Sequence, residues 1–381
     1  MTLIADNNSL IAFCERLKGE RFITIDTEFM RDRTFWSKLC LIQIGGSKEA
    51  MAIDPLAPGL DLEPIIELMD DPAILKVFHA ARQDLEIFWR ISGRLPTPLY
   101  DTQIAAQVCG FGDEVAYETL VSKVAKGRLD KSSRLTDWSR RPLSEAQINY
   151  ALGDVTHLRV IYERLARQIS AAGRSEWVQA EIDQLYKPSL FEQNPEEAWR
   201  RIKVRTRDPR FLLMVQRLAT WREQAARTRD LPRNRILRDD LLLELAASRP
   251  RTIEDLKSLD RITLDRESTH QVFGIVQDVL AAPGSALPTI EQPADPPRGL
   301  GPLVELLRVL LKLRCEEADV AQRLVASAGD LEAIAIDDQA DVPALCGWRR
   351  GIFGEAALAL KHGTIALAVR DGRPSIVELP R

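Results

Sequence analysis

Histidine is scarce in this chain, with four in 381 residues. That leaves little room for a histidine-rich metal centre or for several imidazole-based acid/base steps. The five cysteines (Cys14, Cys40, Cys109, Cys315, Cys346) are scattered and form no C-x-x-C pair. This disfavours a disulfide framework and a structural zinc site, and the cysteines read as small buried apolar residues. No apolar run approaches the roughly 20 residues that a bilayer span requires, and MTLIADNNSLIAF has no basic segment ahead of an apolar one. A cytoplasmic protein without membrane contact is expected. Local signatures are missing too: there is no G-x-x-x-x-G-K-[ST], strand-linked G-x-G-x-x-G, H-E-x-x-H or G-x-S-x-G.

What remains is carboxylate chemistry in an ordinary globular composition, 45% hydrophobic and 28% charged. The length exceeds what one hydrophobic core usually supports, so two or three domains are expected. The net charge of −4 hides a segregation. Residues 200–238 hold 13 Lys and Arg against 3 Asp and Glu, whereas the flanks hold 23 against 30 and 16 against 23. A basic block between two acidic ones suits a polyanion-binding surface; the competing reading is the solvated face of amphipathic helices.

From Phe22 to about Ile169 short apolar runs alternate with helical patterns. FITID, KLCLIQIGG and EAMAIDPL read as consecutive strands, followed by a helix at LEPIIELMD, a strand ILKVFHA, a helix DLEIFWRIS, a strand PLYDT and further helices. This predicts an α/β domain with a mixed sheet flanked by helices, over residues 1–195. Residues 205–285 read as an all-α module of four or five amphipathic helices. A Pro-rich linker over 286–301 leads to a second helical module, 302–381, closed by a hairpin with Asp371-Gly372 at its turn. The two modules look like a diverged repeat.

Asp26 and Glu28 lie two apart on FITIDTEF, so both point to one face of a strand. Two anions that close need a proton or a cation between them. Asp84 opens the helix after KVFHA, where a site acid and a dipole-stabilised helix N-terminal acid are equally consistent. Tyr150 and Asp154 share a helix face in a segment capped by Ser144. Taken alone, that pair favours a buried hydrogen bond over a site. Asp101 reads as a helix N-cap, and Trp138 with Arg140 and Arg141 reads equally as a phosphate contact or a loop anchor.

Taken in order, D-x-E, then D, then Y-x-x-x-D resembles the tyrosine branch of the DEDD superfamily of 3′-5′ exonucleases. The surrounding FITIDTEFMRDRTFWSKLCLIQIG, VFHAARQDLEIF and DWSRRPLSEAQINYALGDVTHL are similar to the bacterial ribonuclease D family, and residues 208–256 to its HRDC domain. Asn149 stands five before Asp154, where the sister branch has histidine. The resemblance implies a ribonuclease H-like fold and two divalent cations, Mg²⁺ or Mn²⁺, held by Asp26, Glu28, Asp84 and Asp154. The charges fit: four carboxylates are near neutral only when two such ions are loaded, and oxygen-only ligands disfavour zinc. Metals roughly 3.5–4 Å apart clamp both oxygens of an in-line phosphodiester displacement. By the same analogy Tyr150 positions the attacking water.

The implied function is stepwise removal of nucleotides from the single-stranded 3′ end of RNA, tRNA precursors above all, by a monomer releasing 5′-monophosphates. Phe29 would stack on the terminal base; His79, close to Asp84, reads first as a core histidine and second as a residue lining the site. Arg200, Arg201, Arg205, Arg207, Arg222, Arg227 and Arg229 would hold the RNA body. A DNA-directed exonuclease of the same fold, or a non-catalytic RNA-binding protein, are the rival readings, since sugar discrimination rests on a few contacts to the 2′-hydroxyl.

Overall fold

The computed structural model describes residues 2–129, 133, 136–192, 194–259, 261–289 and 299–380. Most of the expected Pro-rich linker, residues 290–298, therefore lies outside the described residues.

The first region is built on a six-stranded sheet in the order β1-β4-β3-β2-β5-β6, with β1 (Leu3–Ile4), β2 (Phe22–Met30), β3 (Lys38–Gly45), β4 (Ala50–Ile53), β5 (Leu75–Phe78) and β6 (Leu99–Asp101). The central strands β2, β3 and β4 run antiparallel, while β2–β5–β6 and β1–β4 pair in parallel. This is the mixed sheet with flanking helices that the alternation of runs predicts. Helices α1 (Asn7–Leu17), α2 (Glu63–Asp70), α3 (Arg82–Ser92), α4 (Thr102–Val108), α5 (Tyr117–Leu120), α6 (Glu145–Ala171) and α7 (Ser175–Leu185) cover it. The two-residue β1 and helix α1 precede the first run read as a strand.

Helix α6 positions the site. Ser144 and Gln147 form a capping box that fixes its first turn. Its buried stripe of Ala151, Asp154, Val155, Leu158, Ile161 and Leu165 lies on the sheet at a period of 3.6. The helix comes close because Gly45 carries no side chain: a Cβ there would stand 2.5 Å from Thr24 Oγ1 and 3.4 Å from the Val155 side chain. Thr24 Oγ1 donates to the Val155 carbonyl at 2.8 Å and ties strand to helix.

Helices α8 (Pro209–Thr228), α9 (Arg233–Ile236), α10 (Asp239–Ser248), α11 (Ile253–Lys257) and α12 (Arg266–Ala281) enclose a second core around Met214, Leu218, Leu242 and Val272. A third core lies within α13 (Leu300–Ala318), α14 (Gln322–Val325), α15 (Ala328–Ile336), α16 (Gly347–Arg349) and α17 (Glu355–Lys361). The antiparallel pair β7 (Ile365–Arg370) and β8 (Arg373–Glu378) follows, turning at Asp371-Gly372. Four cysteines are buried as expected; Cys346 is exposed, because it caps the short α16 turn at the surface.

Each helical module docks on the sheet domain differently. The β2–β3 loop inserts Phe35 into the second core, while the Trp36 amide donates to Asp230 at 3.0 Å and its ring lies 3.5 Å from the Arg90 guanidinium. Beside Phe35, the buried Glu223 collects Arg227 at 3.2 Å and Arg233 at 2.5 Å, with Arg201 at 3.9 Å. Burial pushes the Glu223 carboxyl up, but Arg233 and Arg227 more than offset that and hold it below the usual range. The third core meets the sheet domain at α7, through stacked Trp177 and Trp348, 4.5 Å apart, and Arg349–Glu181 at 2.6 Å.

Candidate active site

Alternation along β2 turns Thr24, Asp26 and Glu28 toward α6, and α6 aims Asp154 back at them. Carboxylate oxygens of Asp26, Glu28 and Asp154 lie within 4.8 Å of one another. One extra residue in β3 shifts the pairing between Glu28 and Phe29, a bulge of the kind that re-aims side chains at sites. Asp84 sits in the first turn of α3, is buried, and accepts from Thr27 Oγ1 at 2.5 Å. It stands beside the three-carboxylate cluster without joining that mutual contact.

No cation offsets the charge of Asp26 or Glu28 among the described residues. Burial drives Asp26 up to about 7 against the backbone hydrogen bond from Thr27. Glu28 is pushed to about 10 by burial and then by the charges of Asp26, Asp154 and Asp84, all of one sign. Asp84 is raised by burial and by Asp26. Burial and like charge thus favour the protonated forms of Asp26, Glu28 and Asp84, the opposite of what a cation would need there. The all-oxygen donor set fits hard divalent ions.

The cleft over the cluster measures about 490 Å³, and Phe29, His79, Gln83, Tyr117 and Tyr150 line its walls. Tyr150 packs against Trp138 with ring centroids 6.1 Å apart. His79 contacts Thr102 Oγ1 at 3.0 Å through Nδ1; burial lowers its pKa, with the charge of Asp101 acting the other way. Asp101 caps α4 and also accepts from the amides of Ala80 and Ala81 at 3.0 and 2.9 Å, fixing the turn that leads into Asp84. Trp138 is buried, and Arg141 is engaged by Asp54 and the Cys40 carbonyl, each at 2.6 Å, so both anchor the loop. Arg140 is exposed beside Asp137.

Tyr117 was missed by sequence reasoning. Its hydroxyl donates to the Asp154 carbonyl and its ring lies 5.3 Å from that of His79. Burial first, then the charges of Asp154 and Asp26, hold its phenol far above the ordinary value. Tyr117 opens a four-residue helix, too short to carry a period that would have marked it.

The seven arginines do not form one surface. Arg205 and Arg207 are exposed, and Arg200 and Arg201 are more than half exposed. Arg229 bonds Asp265 at 2.8 Å and Ser268 at 2.9 Å, and Arg227 turns toward Glu223. Arg222 departs from the expectation: it is 3% exposed and gives its guanidinium to the Leu237 carbonyl and Asp239. Its side chain serves the fold of the helical module.

Comparison with known sequences places residues 1–170 in a family described as 3′-5′ exonuclease and residues 212–264 in the HRDC domain family. The chain is 45% identical over 381 residues to ribonuclease D of Nitrobacter hamburgensis, covering 99% of this chain and 100% of that one. It is 46% identical over 373 residues to ribonuclease D of Gluconacetobacter diazotrophicus, covering 97% and 95%. Among solved structures it is similar to Escherichia coli RNase D, an exoribonuclease involved in structured RNA processing. There the TM-score is 0.81 at 31% identity, covering 95% of this chain and 98% of that one.

Proposed function

The chain belongs to the ribonuclease D family, and from that premise we propose that this metal-dependent exoribonuclease trims RNA 3′ ends through the carboxylate cleft of its sheet domain. The observation that carries the reading is the cluster of Asp26, Glu28 and Asp154, backed by Asp84, in which burial and like charge raise Asp26, Glu28 and Asp84 above the ordinary carboxylate range. Asp26, Glu28, Asp84 and Asp154 are the residues that would hold two Mg²⁺ or Mn²⁺ ions. When bound, these ions supply an activated water and stabilisation of the departing 3′ oxygen.

The protein's own groups do the rest. Phe29 offers a stacking face for the terminal base at the cleft wall, and His79 lines the cleft beside Tyr117. Tyr150 orients the attacking water by hydrogen bonding; a free phenol with a pKa of about 10 is a poor base at neutral pH. Tyr117 holds the backbone carrying Asp154. The exposed Arg200, Arg201, Arg205 and Arg207 draw in the RNA body by its phosphates. A 3′-extended tRNA precursor is the substrate we favour, acted on by a monomer in the cytoplasm. Among the described residues no helix is long and apolar enough to cross a membrane. We assign the sheet domain to 1–195 and a second HRDC-like unit to 302–381, beyond the matched HRDC segment.

The test is digestion of a 3′-extended tRNA by the protein and by Asp154→Asn, with Mg²⁺ or EDTA, products being resolved by length. Stepwise shortening from the 3′ end, lost with EDTA and in the variant, is the expected result. Faster cleavage of a matched DNA strand would overturn the RNA preference. Intact RNA that is still bound would overturn the catalytic assignment of the cleft.

A further inference from the structure

Beneath the carboxylates lies a polar side chain that the fold does not use. Gln43 is fully buried on β3, and neither atom of its amide has a hydrogen-bond partner among the described residues. An amide left so costs roughly 1–3 kcal/mol for each unmade bond, whereas a methionine or leucine of similar bulk would cost none of it. A buried orphan of this kind calls for a partner that arrives later.

Register says where that partner stands. Gln43 is directly opposite Asp26 in the antiparallel β2–β3 pair, and facing residues of such a pair project from the same side of the sheet. That side is the α6 side. Two residues along β3 in one direction, Gly45 faces Thr24 and abuts Val155; two residues in the other, Leu41 faces Glu28 and clusters with Ala151. Gln43 therefore lies under the turn of α6 that runs from Ala151 to Val155 and carries Asp154. Its neighbour on the other flank is Ala52 of β4, whose small side chain leaves the amide room.

We propose that Gln43 is a positioning residue for the metal site: its Nε2, directly across the strand pair from Asp26, donates to the Asp26 carboxylate when the site is loaded. Carboxylates that hold metals are in turn held by a hydrogen-bond donor behind them. Asp84 already has one in Thr27. Gln43, facing Asp26 across the strand pair, provides the corresponding support for it. The amide thus gains its partner only in the loaded state, which biases the cleft toward holding metal.

This inference rests on the metal reading of the cleft, and the experiment separates the two. Mg²⁺ and Mn²⁺ binding is measured by titration calorimetry on the wild type, Gln43→Met and Gln43→Leu, with melting of each in EDTA. The expected result is about tenfold weaker metal binding in both variants, with melting in EDTA equal to or above that of the wild type. Unchanged metal affinity in the variants would overturn the role of Gln43 alone. Loss of the melting transition in both, even in EDTA, would assign the amide to the fold and overturn it as well. A wild type that binds neither ion would remove the metal reading, and this inference with it.

Discussion

Of the places where this molecule buries carboxylates, two do so in opposite ways. In the first helical module Glu223 is met by Arg227 and Arg233, and its pKa falls below the usual range. In the sheet domain Asp26, Glu28 and Asp154 are gathered against one another, and the pKa values of Asp26 and Glu28 climb to about 7 and about 10. A buried anion with its own cations is part of the architecture. A cluster whose acids repel one another is arranged by the sheet, by α6 and by the missing side chain at Gly45, and on the proposed function it awaits a cation from solution.

The contrast can be broken from either side. Removing a charge from the cleft should act on chemistry: Asp154→Asn is expected to lower turnover about a thousandfold or more, the several kcal/mol that metal-stabilised charge contributes. Its melting in EDTA should stay level or rise, since a like charge has gone. Removing the charge at Glu223 should act on the fold. Glu223→Gln removes the buried carboxylate that Arg227 and Arg233 bond beside Phe35, and denaturant titration should show a loss of about 3–5 kcal/mol. A Glu223→Gln variant as stable as the wild type would dissolve the distinction.

Magnesium sharpens it with a smaller effect. The folded, metal-free protein keeps protons on Asp26 and Glu28 up to about pH 7 and about pH 10, above the ordinary carboxylate values near 4. Their raised values favour the fold at low pH, and that contribution is lost as pH rises through the window. Metal, which needs the ionised forms, should therefore raise the melting temperature by several degrees at pH 8.5 and little at pH 6. Equal shifts at both pH values would count against proton displacement. The smallest effect concerns the surface arginines. Arg205→Glu with Arg207→Glu should weaken RNA binding and flatten its salt dependence by about 0.7 in log–log slope for each phosphate no longer neutralised; an unchanged slope places the RNA elsewhere.

Much of the cleft was legible because its spacings are periodic. D-x-E on a strand and Y-x-x-x-D on a helix each define a face without any knowledge of partners, and the chain order of the acids did the rest. The features that escaped depend on pairing across the chain. Gln43 looks like any polar residue in an apolar run until the register sets it opposite Asp26. Arg222 counts as surface charge in a composition, yet α8 is buried around much of its girth, with Met214, Leu218 and Trp221 inside as well. Tyr117 sits in too short an element to show a face. Phe35 and Trp36 read as loop aromatics because the core they enter is supplied by helices far along the chain.

That last distance has a consequence for biosynthesis. The amide of Trp36 and its acceptor Asp230 are 194 residues apart in sequence. At ribosomal rates of about 5–20 residues per second, the β2–β3 loop waits roughly 10–40 s before the helices that cover it have been made. Throughout that interval Phe35 and Trp36 lack the helical core that covers them, on a nascent chain whose strand β2 is already made. Cellular holdases have a natural grip there.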